Sequence, residues 1–170
     1  MKNNNEILVE RAKTNAKKIT GSPEESGETI SVVEFTLLSE KYAFEKCYVS
    51  EVLFLREITQ IPGVPSFVMG VVDFRSKILS VINLKLLFNL RERGLSELNQ
   101  VIVLSNGKQY FGVVVDSISG IREIDLSTVS QPLINLESRE TEFISGILPD
   151  GLILLNAQKM LTSSILIIKQ

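Results

Sequence analysis

The chain has 170 residues, of which 44% are hydrophobic, enough to bury the core of one ordinary domain or of two very small ones packed together. A net charge of −2 and an isoelectric point near 5.3 argue against broad electrostatic attraction to nucleic acid or an anionic membrane. The lone Cys47 excludes an intramolecular disulfide and a multi-cysteine metal site, and the lack of histidine removes the usual general base and the commonest metal ligand.

Residues 1–27 form an N-terminal extension. Lys2, Arg11, Lys13, Lys17 and Lys18 stand against Glu6 and Glu10, while Ile7, Leu8, Ala12, Ala16 and Ile19 recur at roughly helical spacing. That pattern fits either a short docking helix or a solvated extension, followed by a Gly/Ser/Pro linker at 21–27. From Ile30 short β-rich runs take over. Ile30–Leu38 is a strand, Tyr42–Val49 holds a second strand or a turn, and Val49–Ile58 fits a strand or a helical turn equally well.

The most specific stretch is Ile61–Leu84. Pro62 and Pro65 make an extended approach, Phe67–Val72 reads as a buried strand, and Asp73–Lys77 is a charged hairpin tip carrying Arg75. Ile78–Ile82 returns as a strand, and Asn83 caps a short helix over Leu84–Leu90. After the polar loop 91–100, Val101–Val115 is a hairpin in which Asn106-Gly107 predicts a type I′ turn. Asp116–Leu126 continues as a strand, Pro132 marks loop or edge, and Phe143–Ile147 with Leu152–Leu155 makes another hairpin around Pro149-Asp150-Gly151. Asn156 caps a helix to Leu161, and Ile165–Ile168 reads as a closing strand.

The chain echoes itself. Phe67-Val68-Met69-Gly70-Val71 and Phe143-Ile144-Ser145-Gly146-Ile147 lie 76 positions apart, and the apolar pairs before Asn83 and Asn156 lie 73 apart. Either β-rich segments resemble one another by chance, or a hairpin-plus-cap unit has been duplicated into two small barrels. The expectation is an all-β chain of two barrel halves, roughly 28–90 and 100–170, with a strand crossover as an open alternative.

The side chains offer little chemistry. The glycines fall singly at turn-like points and form no phosphate loop. Asp73, Asp116, Asp125 and Asp150 sit at predicted strand ends or turns, where Asp bonds locally, and Cys47 lies among apolar and aromatic neighbours that suit a core cysteine. Without Trp and with 6% aromatics, the chain lacks the stacking platforms of a nucleic-acid barrel. No apolar run nears the roughly 18–20 residues that cross a bilayer, and Met1–Asn5 lacks a signal peptide's apolar centre, so a cytoplasmic protein is expected. What remains is protein–protein binding, with Glu51 and Arg75 as the charges that stand out against their neighbours.

From about Val33 to its end the chain resembles the CheW-like domain family: the chemotaxis coupling proteins and, equally, the regulatory domain of CheA kinases. The resemblance runs through Tyr42-Ala43-Phe44, Val49-Ser50-Glu51-Val52, Ile58-Thr59 with Pro62 and Pro65, and Gly70-Val71-Val72-Asp73-Phe74-Arg75. It continues through Val81-Ile82-Asn83-Leu84, Val113–Ile118 and Phe143–Ile147, in order over about 135 residues. It implies two intertwined five-stranded SH3-like barrels over residues 28–170, no catalysis, no cofactor and no metal. It further implies a cytoplasmic scaffold at membrane-associated arrays, tying a CheA-type histidine kinase to the cytoplasmic tips of transmembrane chemoreceptors. Glu51 and Arg75 match family positions tied to that coupling, with Val49 and Val52 as their apolar neighbours. Two departures stand out: Ser76 where the family has Gly after the arginine, and Asn83, with Asn156 as its later counterpart, where it has Asp. They leave room for a divergent adaptor of a pilus, gliding or other chemosensory pathway. A small barrel binding nucleic acid or a ligand is the alternative outside the family.

Overall fold

A computed structural model describes residues 27–55, 57–90, 99–131 and 139–166. The predicted N-terminal helix, the loop 91–98 and Pro132 lie outside the described residues. Among the described residues ten strands form two five-stranded sheets. They are β1 (Thr29–Leu37), β2 (Glu40–Glu45), β3 (Val49–Phe54), β4 (Val68–Phe74) and β5 (Lys77–Asn83), then β6 (Gln100–Ser105), β7 (Tyr110–Val115), β8 (Ser117–Asp125), β9 (Ile144–Ile147) and β10 (Ile153–Leu155). Short helices α1 (Leu84–Leu87), α2 (Arg139–Glu142) and α3 (Ala157–Thr162) accompany them.

One SH3-like barrel has the strand order β3-β6-β7-β5-β4 and the other β8-β1-β2-β10-β9. The first is therefore a continuous stretch, whereas the second joins an N-terminal hairpin to C-terminal strands. The sheets therefore do not follow a division at 28–90 and 100–170, since the β1–β2 hairpin pairs with the C-terminal strands. The two pairing patterns correspond strand for strand. The parallel pair β5·β7 (Val81↔Gly112 to Asn83↔Val114) has its counterpart in β10·β2 (Ile153↔Tyr42 to Leu155↔Phe44). The β1–β2 hairpin thus takes the place in the second barrel that β6–β7 takes in the first. A hairpin carries its apolar pattern with it whichever barrel it completes, so periodicity alone left its destination undetermined.

The echoed units match in hydrogen bonding as well as in sequence. Val71 exchanges backbone hydrogen bonds with Thr59 at 2.9 Å each, and Ile147 does the same with Ser130 at 2.9 and 2.8 Å. Asn83 donates its N–H to Phe67 O (2.8 Å) and Asn156 to Phe143 O (2.7 Å). Both asparagines then cap as expected: Asn83 Oδ1 accepts from Lys85 N and Leu86 N, and Asn156 Oδ1 from Lys159 N. Gly70 sits at φ +141°, where a Cβ would lie 2.2 Å from Thr59 O, so the crossing segment requires glycine there.

Most strands are apolar on both faces, for a reason the packing makes plain. Val33, Phe35 and Leu37 of β1 join Ile82, Ile102, Leu104, Phe111 and Val113 in one cluster shared by both sheets. The alternate residues enter clusters confined to one barrel: Val32, Ala43 and Leu154 in the second, Val81, Val101 and Val114 in the first. Period-two alternation therefore separates two cores rather than core from solvent.

Two turns differ from expectation. Asn106-Gly107 does not form a type I′ turn. Positive φ falls on Gly107 alone, and β6 and β7 are joined by a four-residue loop, 106–109, in which Asn106 Oδ1 accepts from Lys108 N and Gln109 N. Asn preferred bonding its own turn to adopting the left-handed region. The I′ signature appears instead at the two-residue link between β4 and β5, where Arg75 (φ 49°) and Ser76 (φ 60°) are both left-handed. Ile165 and Leu166 do not begin a closing strand: they lie in a turn, with Leu166 buried in the shared core and 167–170 outside the described residues.

Candidate functional site

The resemblance pointed to Glu51, Arg75, Val49 and Val52, and the fold brings three of them to one end of the first barrel. β3 and β4 end that barrel's strand order, so the seam between them is where it is least closed. Val49–Phe54 proves to be a strand, and its register slips between Val49 (opposite Leu104) and Glu51 (opposite Val103), leaving Ser50 as the extra residue of a bulge. The bulge turns Glu51 toward the β4–β5 tip. Arg75 Nη2 meets Glu51 Oε2 at 2.6 Å, while the Arg75 side chain stays 72% exposed and that of Glu51 32%. The Arg75 guanidinium also lies 5.4 Å from the Phe74 ring centroid, within cation–π range.

Beside this clasp runs a groove of about 400 Å³, lined by Val52, Phe54, Val72 and Phe74 together with Glu51, Asp73 and Arg75. Val52 is 40% exposed and Phe54 68%, the most exposed large apolar side chain among the described residues. Phe54 was missed at the sequence level; once 49–54 is a strand, alternation puts it on the same face as Val52. Val49 is placed differently: it is partly buried and packs against the shared core.

Stability does not account for this arrangement. An exposed ion pair contributes at most about 1 kcal/mol, and each left-handed non-glycine residue costs on the order of 1 kcal/mol or more. Two such residues hold Arg75 in place. The close two-residue link imposes both left-handed residues, and it leaves Arg75 at the surface beside exposed apolar side chains.

Comparison with known proteins bears on the same stretch. Residues 31–164 match the CheW-like domain. The chain belongs to the CheW-like family. Chemotaxis protein CheW of Klebsiella aerogenes is 29% identical to it over 143 residues, covering 81% of this chain and 86% of the relative. Protein PilI of Pseudomonas aeruginosa is 30% identical over 99 residues, covering 58% and 56%. The crystal structure of the scaffolding protein TtCheW from Thermoanaerobacter tengcongensis aligns at a TM-score of 0.69 with 30% identity, over 75% of this chain and 89% of that one. The two-barrel fold is thus that of CheW-like proteins.

The second barrel of this CheW-like chain carries a counterpart that the sequence did not reveal. Arg122 on β8, the strand equivalent to β3, pairs with Asp150 at the β9–β10 tip (2.5 Å) and lies 3.6 Å from Glu34, which also pairs with Lys41 (3.4 Å). The tip-to-edge contact is repeated with its charges exchanged. The hydrogen bond from Arg122 outweighs desolvation and, with the Leu152 N–H and the Arg122 charge, holds the Asp150 carboxyl below its ordinary value.

The remaining sequence candidates lie outside the clasp, with Asp73 on the groove wall. Asp125 accepts from Ser127 N (2.8 Å) and opens a 3-10 turn, and Asp73 is an exposed residue of β4 opposite Ile78 rather than part of the tip. Cys47 is exposed, not in the core as its neighbours suggested, because it falls on the 3-10 turn Lys46–Tyr48 that links the barrels. Desolvation and the Glu45 carboxylate push its thiol up, away from nucleophile chemistry. Among the described residues no cluster of three or more His, Cys, Asp or Glu could hold a metal ion, and no helix is long and apolar enough to cross a membrane.

Proposed function

We propose that this chain is a non-enzymatic cytoplasmic adaptor that couples the tips of chemoreceptors to a CheA-type histidine kinase at receptor arrays. The observation that supports it most is the Glu51–Arg75 clasp, an exposed arginine at a strained turn held by a half-buried glutamate beside a mainly apolar groove in a CheW-like fold. Glu51 and Arg75 are the partner-facing charges and Val52 the apolar contact; Phe54 joins them from the structure. Val49 acts from behind, by seating the start of β3 on the shared core.

The test is direct binding of the purified chain to a CheA-type kinase and to a receptor cytoplasmic fragment. Arg75→Glu places two acids face to face and is expected to weaken at least one complex by tenfold or more, roughly the effect of losing one charged contact at an interface. Glu51→Ala should do the same while circular dichroism stays unchanged. Wild-type affinity in both variants, or no binding of either partner by the parent chain, overturns the proposal. Similarity to PilI supports a second version, in which the kinase belongs to a pilus or gliding pathway; kinases from both kinds of pathway, compared side by side, distinguish them.

A further inference from the structure

The chain passes between the barrels through the turn 46–48 and again through a single residue, Asp116, between the end of β7 and the start of β8. We propose that Asp116 is a positioning residue that fixes the angle between the two barrels. Its carboxylate is held from both sides. Oδ2 accepts the Leu38 N–H (2.7 Å) from the β1–β2 turn of the second barrel. Oδ1 accepts from Lys85 Nζ of α1 (2.5 Å) and from Asn99 Nδ2 just before β6 (3.0 Å), both in the first barrel. The backbone N–H of Asp116 donates to Thr36 O (3.1 Å), and the Thr36 and Ser117 hydroxyls lie 2.7 Å apart.

Three features exceed what a simple link requires. Lys85 is only 4% exposed, and a buried ammonium needs a counter-charge in fixed geometry. Leu38 holds φ 58°, where a bulky residue persists only when its surroundings impose it, and the carboxylate grips its amide. A carboxylate is also the side chain able to accept several donors at once from different directions. The shared apolar cluster joins the barrels without directing them, since hydrophobic contact is non-directional. Directional bonds between the barrels converge on Asp116, beside the one that Ile118 N–H donates to Gln100 Oε1 (2.9 Å). The clasps at Glu51 and Arg122 are thereby held in a set relation, whichever partners they meet.

Two measurements test this, and neither depends on the adaptor reading. In the unmodified chain, the Leu38 amide should exchange only through large-scale opening, about a thousandfold slower than a free turn amide; exchange at free-turn rates overturns the proposal. Spin labels at Lys108→Cys and Ser119→Cys, in a Cys47→Ser background, then report the distance between barrels. The neutral, nearly isosteric pair Lys85→Met with Asp116→Asn should broaden or shift that distance while amide protection within β6 and β7 is kept. An unchanged distance with a lowered melting temperature would show a purely stabilising ion pair and overturn the positioning role. Should that variant fail to fold, Asp116→Glu, which keeps the charge but displaces the carboxylate, is read with the same spin labels, and an unchanged distance overturns the proposal.

Discussion

Ser76 is where the turn geometry makes a quantitative demand. Its φ of 60° places an L side chain in the left-handed region, next to Arg75 at 49°. That region costs a non-glycine residue roughly 1–2 kcal/mol. Glycine removes the cost but adds about 0.5–1 kcal/mol of lost freedom on folding. The difference leaves Ser76→Gly more stable by about 0.5–1 kcal/mol, which in a chain of this size raises the melting temperature by about 1–4 °C. Equilibrium urea unfolding read at a common slope gives the free energy, and a thermal scan checks it. Ser76→Ala should leave stability nearly unchanged, since alanine bears the same strain; Ser76→Val should lower it, since a branched Cβ fits the left-handed region worst. Because glycine keeps the same φ, Arg75 stays over Glu51 and partner binding is retained. If Ser76→Gly is no more stable than the parent, the turn is not strained and the cost assigned to its φ angles is refuted.

Gly70→Ala should destabilise by about 2 kcal/mol or more, because its Cβ would meet the Thr59 carbonyl at a strained φ, whereas Gly107→Ala, with open space around it, should cost about 1 kcal/mol; chemical denaturation of the two compares them. Acid should unfold the chain partly through Asp116. Burial pushes its carboxyl up, but hydrogen bonds from Lys85, Leu38 and Asn99 and the Lys85 charge outweigh burial and hold it below the ordinary Asp value. A lowered folded-state value means the stabilisation is complete above the unfolded pKa of about 3.9 and is lost as pH falls through the folded value. Asp116→Asn should therefore show a shallower loss of stability below about pH 4, read from urea midpoints between neutral pH and pH 2.5.

Much of this was legible because strands and turns announce themselves locally. The hairpins at 67–82, 101–115 and 143–155 follow from apolar runs broken by turn residues, and Asn83 and Asn156 follow from the pairing of cap with apolar pair. What failed was whatever depends on distant partners. The destination of β1–β2 was hidden because both faces of its strands are apolar. The Asn-Gly signal misled because Asn106 had its own side-chain bonds to make, while Arg75-Ser76, with no such signal, is driven left-handed by the close two-residue link. Asp116 looked like routine strand-end polarity, and Arg122 like one polar residue within a strand; their roles arise from residues about 28 to 88 positions away in sequence, Asp150, Glu34, Leu38 and Lys85 among them.

The correspondence between the two barrels also says why binding is assigned to one clasp and not its twin. Both barrels bring a hairpin tip to an edge strand through one ion pair, with acid on the edge and base on the tip in the first, and the reverse in the second. In the second barrel the arginine is 37% exposed and answers two acids, one of which is further paired with Lys41. In the first, the arginine is 72% exposed and answers one acid, although a guanidinium carries five N–H donors. The second barrel's charges are largely spent on one another. Arg75 keeps donors turned to solvent beside Val52 and Phe54, and a partner offering an acidic side chain next to an apolar one matches both features.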